Sequence, residues 1–320
     1  MKTLTQFNTS PQKNSIICLS ILYNEEDFID FFVNYYSKMG VTHFIFIDNN
    51  SEDNSQKKLK HLSKNFNIKI LFTQESYRQT VSGSKWVNEI LREFKDKWIF
   101  IADLDEYVLF RGNKTLLDLK NSMETSEFNV AQFALIDFYP IGKKEGIYDF
   151  GIDPFINSKF YDKVIDHSDY FLKEIKDGSL SIQGGLRYRL NKKKKAKGAH
   201  CLSKKSFFKF NFGDTHKISG GTHWILPHEF TRWNTFEKWE KYSNILKYKP
   251  EVNIIAHFKF AKRDFTSFVQ NRIKRNQDFD NSKEYKGYLN NGINSFYHKD
   301  KTCKFTSNDE LYNNTIDLLF

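Results

Sequence analysis

Short apolar runs alternate with amphipathic stretches through the first third of the chain, and this alternation restricts the fold more than any other feature. Ile16–Leu22 (IICLSIL), Val41–Ile47, Ile68–Phe72 and Trp98–Ala102 have the length and apolar continuity of buried strands. After the first run, Phe28, Phe31, Phe32, Tyr35, Tyr36 and Met39 recur at helical period, and Gly40 is placed to end that helix. A Lys-rich helix is expected from Asp53 onward and another over Gly83–Phe94. Strand and helix repeated in this order predict an α/β, doubly wound, mostly parallel sheet.

Polar clusters fall where the expected strands end: Asn24-Glu25, Asp48-Asn49-Asn50 and Asp103-Leu104-Asp105. Ligands of open α/β sheets bind outside the carboxyl ends of strands, so three clusters at one edge point to a site. In Asp103-Leu104-Asp105 two carboxylates one residue apart at a strand end are expected to face the same side. Like charges held together need neutralising, and hard oxygen donors suit Mg²⁺ or Mn²⁺, which typically holds a diphosphate. The tripeptide alone is common; its placement gives it weight.

The second half is less regular. Val130–Tyr139 reads as a strand, and Ile141–Ser181, punctuated by Gly and Asp, as an irregular substrate lobe. Gly184-Gly185 precedes Arg187 and Arg189. Ile254–Phe260 reads as a further strand, and Phe265–Asn276 and Glu310–Phe320 as helices. No internal repeat is present.

With 320 residues and 32 Phe, the chain has ample material for a core. Cys18, Cys201 and Cys303 are far apart and odd in number, which argues against a disulfide framework and for a reducing compartment. No apolar run reaches the roughly 18–20 residues of a membrane span, and Met1–Asn14 lacks the apolar core of a secretory signal. A soluble cytoplasmic protein is expected. The formal net charge of +10 implies an anionic partner. The basic residues are not interleaved with an RNP-type or helix-turn-helix pattern, so no nucleic acid is expected. Lys192–Lys195 with Lys197 reads as a solvated loop; the sharper reading is peripheral docking to an anionic membrane at its inner face, or to an acidic polymer.

Eight pieces run in order along the chain: Tyr23-Asn24-Glu25, Asp48-Asn49-Asn50-Ser51-Glu52-Asp53, Asp103-Leu104-Asp105-Glu106-Tyr107, Leu135-Ile136-Asp137-Phe138-Tyr139, Gly184-Gly185-Leu186-Arg187, Lys205 with Lys209, Gly221-Thr222-His223 and His257-Phe258-Lys259-Phe260. In these the chain resembles the GT-A fold glycosyltransferases, specifically the family 2-like bacterial branch related to family 92. The resemblance implies an inverting, metal-dependent hexosyltransferase with a nucleotide-sugar donor (a UDP-sugar favoured) and an oligo- or polysaccharide acceptor, in capsule or lipopolysaccharide synthesis. It implies a polar tail over 1–14, a catalytic domain over 15–262 with a nucleotide-sugar half to 110 and an acceptor half beyond, and a helical extension over 263–320.

The residues can be assigned roles on that basis. Asp105 is expected to hold the metal, with Asp103 between metal and ribose. A third ligand is expected from His257, with His223 as the alternative. Lys259, two residues past His257 on the expected strand, is placed to face the same side and clamp phosphate. Tyr23, Asn24, Glu25, Asp48 and Asn50 are candidate donor contacts; the structural alternative is that Asn24 and Asp48 cap the following helices. Arg78, Lys85 and Asn88 lie where they can reach phosphates, although a solvated helix face accounts equally for Lys85. Asp137 is the candidate general base, with Asp214 and Glu229 as alternatives, and its structural alternative is a salt bridge to Arg187. Arg187 and Trp224 are candidate acceptor contacts; Trp233 and Trp239 are further aromatics. Competing functions are a non-catalytic nucleotide- or glycan-binding module on the same fold, or a nucleotidyltransferase.

Overall fold

The computed structural model describes residues 1–140, 153–165, 170–174, 179–191, 201–228, 245–262, 264–275, 282–290 and 296–319. Its strands and helices in chain order are β1 (Lys2–Thr5), β2 (Ile16–Leu22), α1 (Ile29–Lys38), β3 (His43–Asp48), α2 (Ser55–Leu62), β4 (Ile68–Phe72), α3 (Ser84–Leu91), β5 (Trp98–Ile101), β6 (Glu106–Leu109), α4 (Leu116–Thr125) and β7 (Val130–Asp137). There follow α5 (Pro154–Asn157), β8 (Phe160–Asp162), β9 (Tyr170–Glu174), β10 (Leu180–Gly184), α6 (Gly185–Asn191), β11 (Ser203–Lys209), β12 (His216–Ser219), β13 (Trp224–Pro227), β14 (Tyr248–His257), α7 (Phe265–Arg275), α8 (Lys283–Asn290), β15 (Thr302–Lys304) and α9 (Asn308–Asn314).

A nine-stranded sheet in the order β1-β4-β3-β2-β5-β11-β7-β14-β6 forms the centre. Its first half is wound as the alternation requires. Successive side chains of β2 serve opposite faces: Ile16, Cys18 and Leu22 join Phe32, Val33 and Tyr36 of α1 and Leu59 of α2. Ile17 and Leu19 join Trp86, Val87, Ile90 and Leu91 of α3 on the other face. Helices on both faces explain why these strands are apolar throughout rather than alternating.

The strand directions decide where the site lies. β4, β3, β2 and β5 are parallel. β11 runs antiparallel to both β5 and β7, so β7 shares the direction of β5. β14 is parallel to β7, and β6 is antiparallel to β14. The carboxyl ends of β2, β3, β5, β7 and β14, and the amino ends of β6 and β11, therefore share one edge.

Several elements differ from the expectation. β1, β6, β11 and α8 have no counterpart in it. The strand ending at His257 starts at Tyr248 and stops before Phe258. The glycine pair opens a helix, α6, with Gly185 at φ +67°. The C-terminal segment is not a separate appendage: Leu311, Tyr312, Ile316 and Leu319 are buried in the same core as α1, and Tyr312 donates from its hydroxyl to the Leu109 carbonyl at 2.9 Å. Among the described residues the three cysteines are free thiols, and no helix is long and apolar enough to cross a membrane. Lys192–Lys195, Lys197, Glu229, Trp233 and Trp239 lie outside the described residues.

Candidate active site

The shared edge gathers carboxylates and cations into a nearly continuous chain. β5 ends at Ile101, so Asp103, Leu104 and Asp105 form the turn into β6 rather than the end of a strand. Strand alternation does not apply to them, and the two aspartates diverge: the Asp103 side chain is 56% exposed and that of Asp105 14%. Each has its own cation. Lys204, at the start of β11, places Nζ 3.5 Å from Asp103 Oδ2 and 2.6 and 2.7 Å from the two oxygens of Glu106. Lys262, past the end of β14, places Nζ 3.5 Å from Asp105 Oδ2 and 3.1 Å from Glu25 Oε2.

These environments set proton affinities. Burial pushes the Asp105 carboxyl up, but Lys262, then His257, outweigh it and hold it down at about 2. For Glu25 burial wins over Lys262, aided by the charge of Asp105, and the carboxyl rises to about 7. Burial likewise raises Glu106 against the pull of Lys204. Burial lowers Lys204, and Asp103 and Glu106 reverse that to a net rise.

A second set adjoins the first. His257, the last residue of β14, lies opposite Asp137, the last of β7, in the parallel register. Its Nδ1 is 2.6 Å from Asp137 Oδ1, and its Nε2 is 3.8 Å from Asp105 Oδ1. Arg187 of α6 brings Nε within 3.1 and 3.0 Å of the two Asp137 oxygens. Burial raises the Asp137 carboxyl, and Arg187 and then His257 outweigh that, leaving it lowered. His257 Nδ1 faces both Asp137 Oδ1 and, at 3.0 Å, Arg187 Nη2, which leaves Nε2 turned toward Asp105. A carboxylate behind an imidazole in this way is the usual support of a metal-ligating histidine.

Among the described residues, no group of three or more His, Cys, Asp or Glu side chains is arranged to hold a metal ion. The donor set does fit a cation that arrives with its substrate. Mg²⁺ and its like are commonly held by one or two carboxylates plus substrate phosphates rather than by an all-protein cage. Asp105 would supply the carboxylate, with His257 Nε2, 3.8 Å from its Oδ1, as a nitrogen donor beside it.

The other expected site residues divide clearly. Asp48 is fully buried; its Oδ1 accepts from the Ser51 backbone N–H at 2.9 Å and its Oδ2 from Gln56. Asn24, at φ +55°, accepts from the Glu52 N–H at 2.7 Å. Both fix the turns that follow β2 and β3, and neither caps a helix: the N-cap positions of α1 and α2 are Phe28 and Asn54. Asn50 accepts from Gln74 at 3.2 Å. Tyr23 is half-buried beside these turns, under Arg275. Asp137 has a side chain only 2% exposed, and both its oxygens are engaged by Arg187; this is the salt-bridge alternative, and a carboxyl of lowered proton affinity so enclosed is ill suited to take a proton from an acceptor.

Lys259 lies beyond the strand, pairing with Glu284 at 2.7 Å and lying 4.6 Å from the Tyr285 ring centroid. Its ammonium is engaged by Glu284, while its charge still helps to lower the Asp105 carboxyl. His223 bonds the Ser203 carbonyl at 2.7 Å, and burial, then Lys204, drive its proton affinity down to about 3. Trp224 is buried under Lys205, whose Nζ is 4.5 Å from its ring, a core position rather than a sugar platform. Lys85 is exposed and 3.8 Å from Glu75, and Arg78 is half-buried in the turn before α3. Asn88 bonds the backbone of Ile218, and Asp214 pairs with Lys95 before β5, at the opposite edge. Lys204, Lys262 and Arg275 are the residues at this edge that the sequence reading missed. Lys204 and Lys262 left a faint signal, each being a lysine inside or just after an apolar, aromatic-rich run.

Residues 13–158 match the family model described as glycosyltransferase family 92. A glycosyltransferase family 92 protein of Oryza sativa subsp. japonica is 26% identical over 142 residues, which cover 41% of this chain and 22% of that protein. The chain thus spans under a quarter of the length of this curated relative. Among solved structures, S. aureus TarS 1-349 aligns at 12% identity and a TM-score of 0.37, covering 87% of this chain and 71% of that one. The same fragment in complex with UDP gives a TM-score of 0.38, at 12% identity and 86% and 71% coverage. Scores this low do not establish a common fold.

Proposed function

We propose that the chain is a glycosyltransferase that takes a sugar from a nucleoside-diphosphate donor at the carboxyl edge of its sheet. One observation carries the reading: the strand ends within the family-matched segment 13–158 deliver Glu25, Asp103, Asp105 and Asp137 to one edge. There Lys204, Lys262, Arg187 and His257 meet them. An edge so rich in paired charge suits a ligand that brings two phosphates.

Asp105 and His257 would hold a divalent cation, Mn²⁺ or Mg²⁺, with Asp103 exposed beside them. Such a cation, when bound, neutralises charge that develops on the departing diphosphate. Asp137 and Arg187 orient His257. Lys262 joins the β2 end to the Asp103–Asp105 turn, and Lys204 fixes Asp103 through Glu106. Lysines so placed stabilise anionic oxygens without reorganising during reaction. The glycan acceptor, the inverting course and a role in surface polysaccharide synthesis are those the resemblance implies.

A second reading has its own observation. Both aspartates of the turn are matched by lysines, so their charge is compensated without a cation, as in a nucleotide-binding module that does no chemistry. The two are separated by calorimetric titration with UDP, GDP, CDP and CMP, each with and without Mn²⁺, followed by assay of nucleotide release from the matching nucleotide sugars. Metal-dependent binding with release supports the transferase. Metal-independent binding without release supports the module. Absence of binding to every nucleotide removes both.

A further inference from the structure

α7 ends on the site. Its last residue, Arg275, lays its guanidinium carbon 3.3 Å from the centroid of the Tyr23 ring. The same guanidinium donates from Nη2 to the Asn49 backbone oxygen at 3.1 Å and to Asn49 Oδ1 at 2.8 Å. Tyr23 follows β2 and Asn49 follows β3, the two strand ends across which a nucleoside would lie. Asn49 is itself fixed, its amide donating to the carbonyls of Thr73 and Glu75 at 3.3 and 2.9 Å. An aromatic face and an amide oxygen are what a nucleobase uses, for stacking and for an N–H bond. A planar cation with N–H donors holds both. At 3.3 Å there is no room for a base between guanidinium and ring.

We propose that α7 is a gate, latched by Arg275 over Tyr23 and Asn49, and that the nucleoside of the donor displaces the latch. The inference rests on the nucleotide reading above. The helix is built to open from that end. Val269 is its buried residue, and Phe265, Phe268 and Ile273 lean on the aromatic cluster containing Tyr285 and Tyr288. Its last turn, Arg272 to Arg275, has no buried residue. Before the helix, Lys262 is tied to Glu25 and Asp105. Toward α8 the last turn leans on Ile273 and on Arg272, whose guanidinium carbon is 5.3 Å from the Tyr285 ring centroid, while toward the ends of β2 and β3 it is Arg275 that holds it, by stacking and hydrogen bonds. Local opening draws on such lightly buried ends.

The test combines calorimetry with hydrogen exchange of the full chain, using UDP, GDP and CDP with Mn²⁺ as probes. A latch that closes part of the population lowers apparent affinity by the closed fraction, so Arg275→Ala is expected to bind the accepted diphosphate about fivefold tighter. Without nucleotide, the variant should exchange faster than the parent at the last turn of α7. In the parent, saturating nucleotide should raise exchange over the same residues. Weaker binding by the variant would make Arg275 a donor contact and overturn the gate, as would protection of α7 by nucleotide or unchanged affinity. If neither protein binds any diphosphate, the nucleotide reading fails and takes the gate with it. Binding by the parent with no gain in the variant removes the gate alone.

Discussion

Asp105 and Asp137 are both lowered in proton affinity, yet they call for opposite experiments. Asp105 touches the space a ligand would enter, and its partner Lys262 keeps Glu25 when the carboxylate is lost. Asp105→Asn is therefore expected to leave far-UV circular dichroism unchanged while turnover, read as released nucleotide, falls by about 100-fold or more. Asp137 is enclosed with a buried Arg187. Removing its charge strands a guanidinium in the interior, so Asp137→Asn should cost about 3–5 kcal/mol in urea unfolding. Asp103 supplies the contrast within the same assay. It is more than half exposed, and Asp103→Asn should change stability by only about 0–1 kcal/mol. A loss at Asp103 as large as that at Asp137 would show that Lys204 depends on it rather than on Glu106.

At the scale of elements, what periodicity could reveal was read well and what tertiary contact decides was not. β2, β3, β4, α1 and α3 follow apolar patterns that are complete within themselves, and their bounds differ from expectation by a few residues. The strand through His257 shows the limit. Its apolar and aromatic pattern continues to Phe260, but the Phe258 N–H is taken by the Asp105 carbonyl at 2.7 Å, and the Ala261 N–H returns to Phe258. The strand is ended by a partner more than a hundred residues away, so strand alternation no longer sets the face of Lys259. Asp48 and Asn24 misled for the opposite reason: their hydrogen bonds are local, and Asn or Asp at a strand end looks alike whether it binds a ligand or its own turn. α4 carries a local signal that the sequence reading passed over. Thr115 accepts from the Asp118 N–H at 3.2 Å and Asp118 accepts from the Thr115 N–H at 2.8 Å, a complete capping box. Thr115→Ala should lower stability by about 1 kcal/mol in urea unfolding, with no effect on nucleotide binding.

For the whole molecule, β11 is the strand that makes the site possible. Running against both β5 and β7, it lets the second half of the sheet point its strand ends to the same edge as the first, and it brings Lys204 there at its own start. The assembled edge then has a collective electrostatic signature. Glu25 lies in it with a side chain 22% exposed, and burial raises its carboxyl from 4.5 to about 7 despite Lys262. A group whose folded affinity for a proton is raised contributes stability that is full below its unfolded value and is lost as pH rises through the folded one. The window is therefore 4.5 to about 7. Glu25→Gln removes the titration while keeping the shape. Its stability relative to the parent should be flat below that window, improve across it and be flat again above it. The gain should be on the order of 2 kcal/mol, short of the full shift because Lys262 also loses a partner. Urea midpoints of both proteins at a series of pH values spanning the window measure it. A difference that stays constant, or that moves against the variant as pH rises, would mean that Lys262 already holds Glu25 ionised in the fold, and that the β2 end meets its ligand with a negative charge at every working pH.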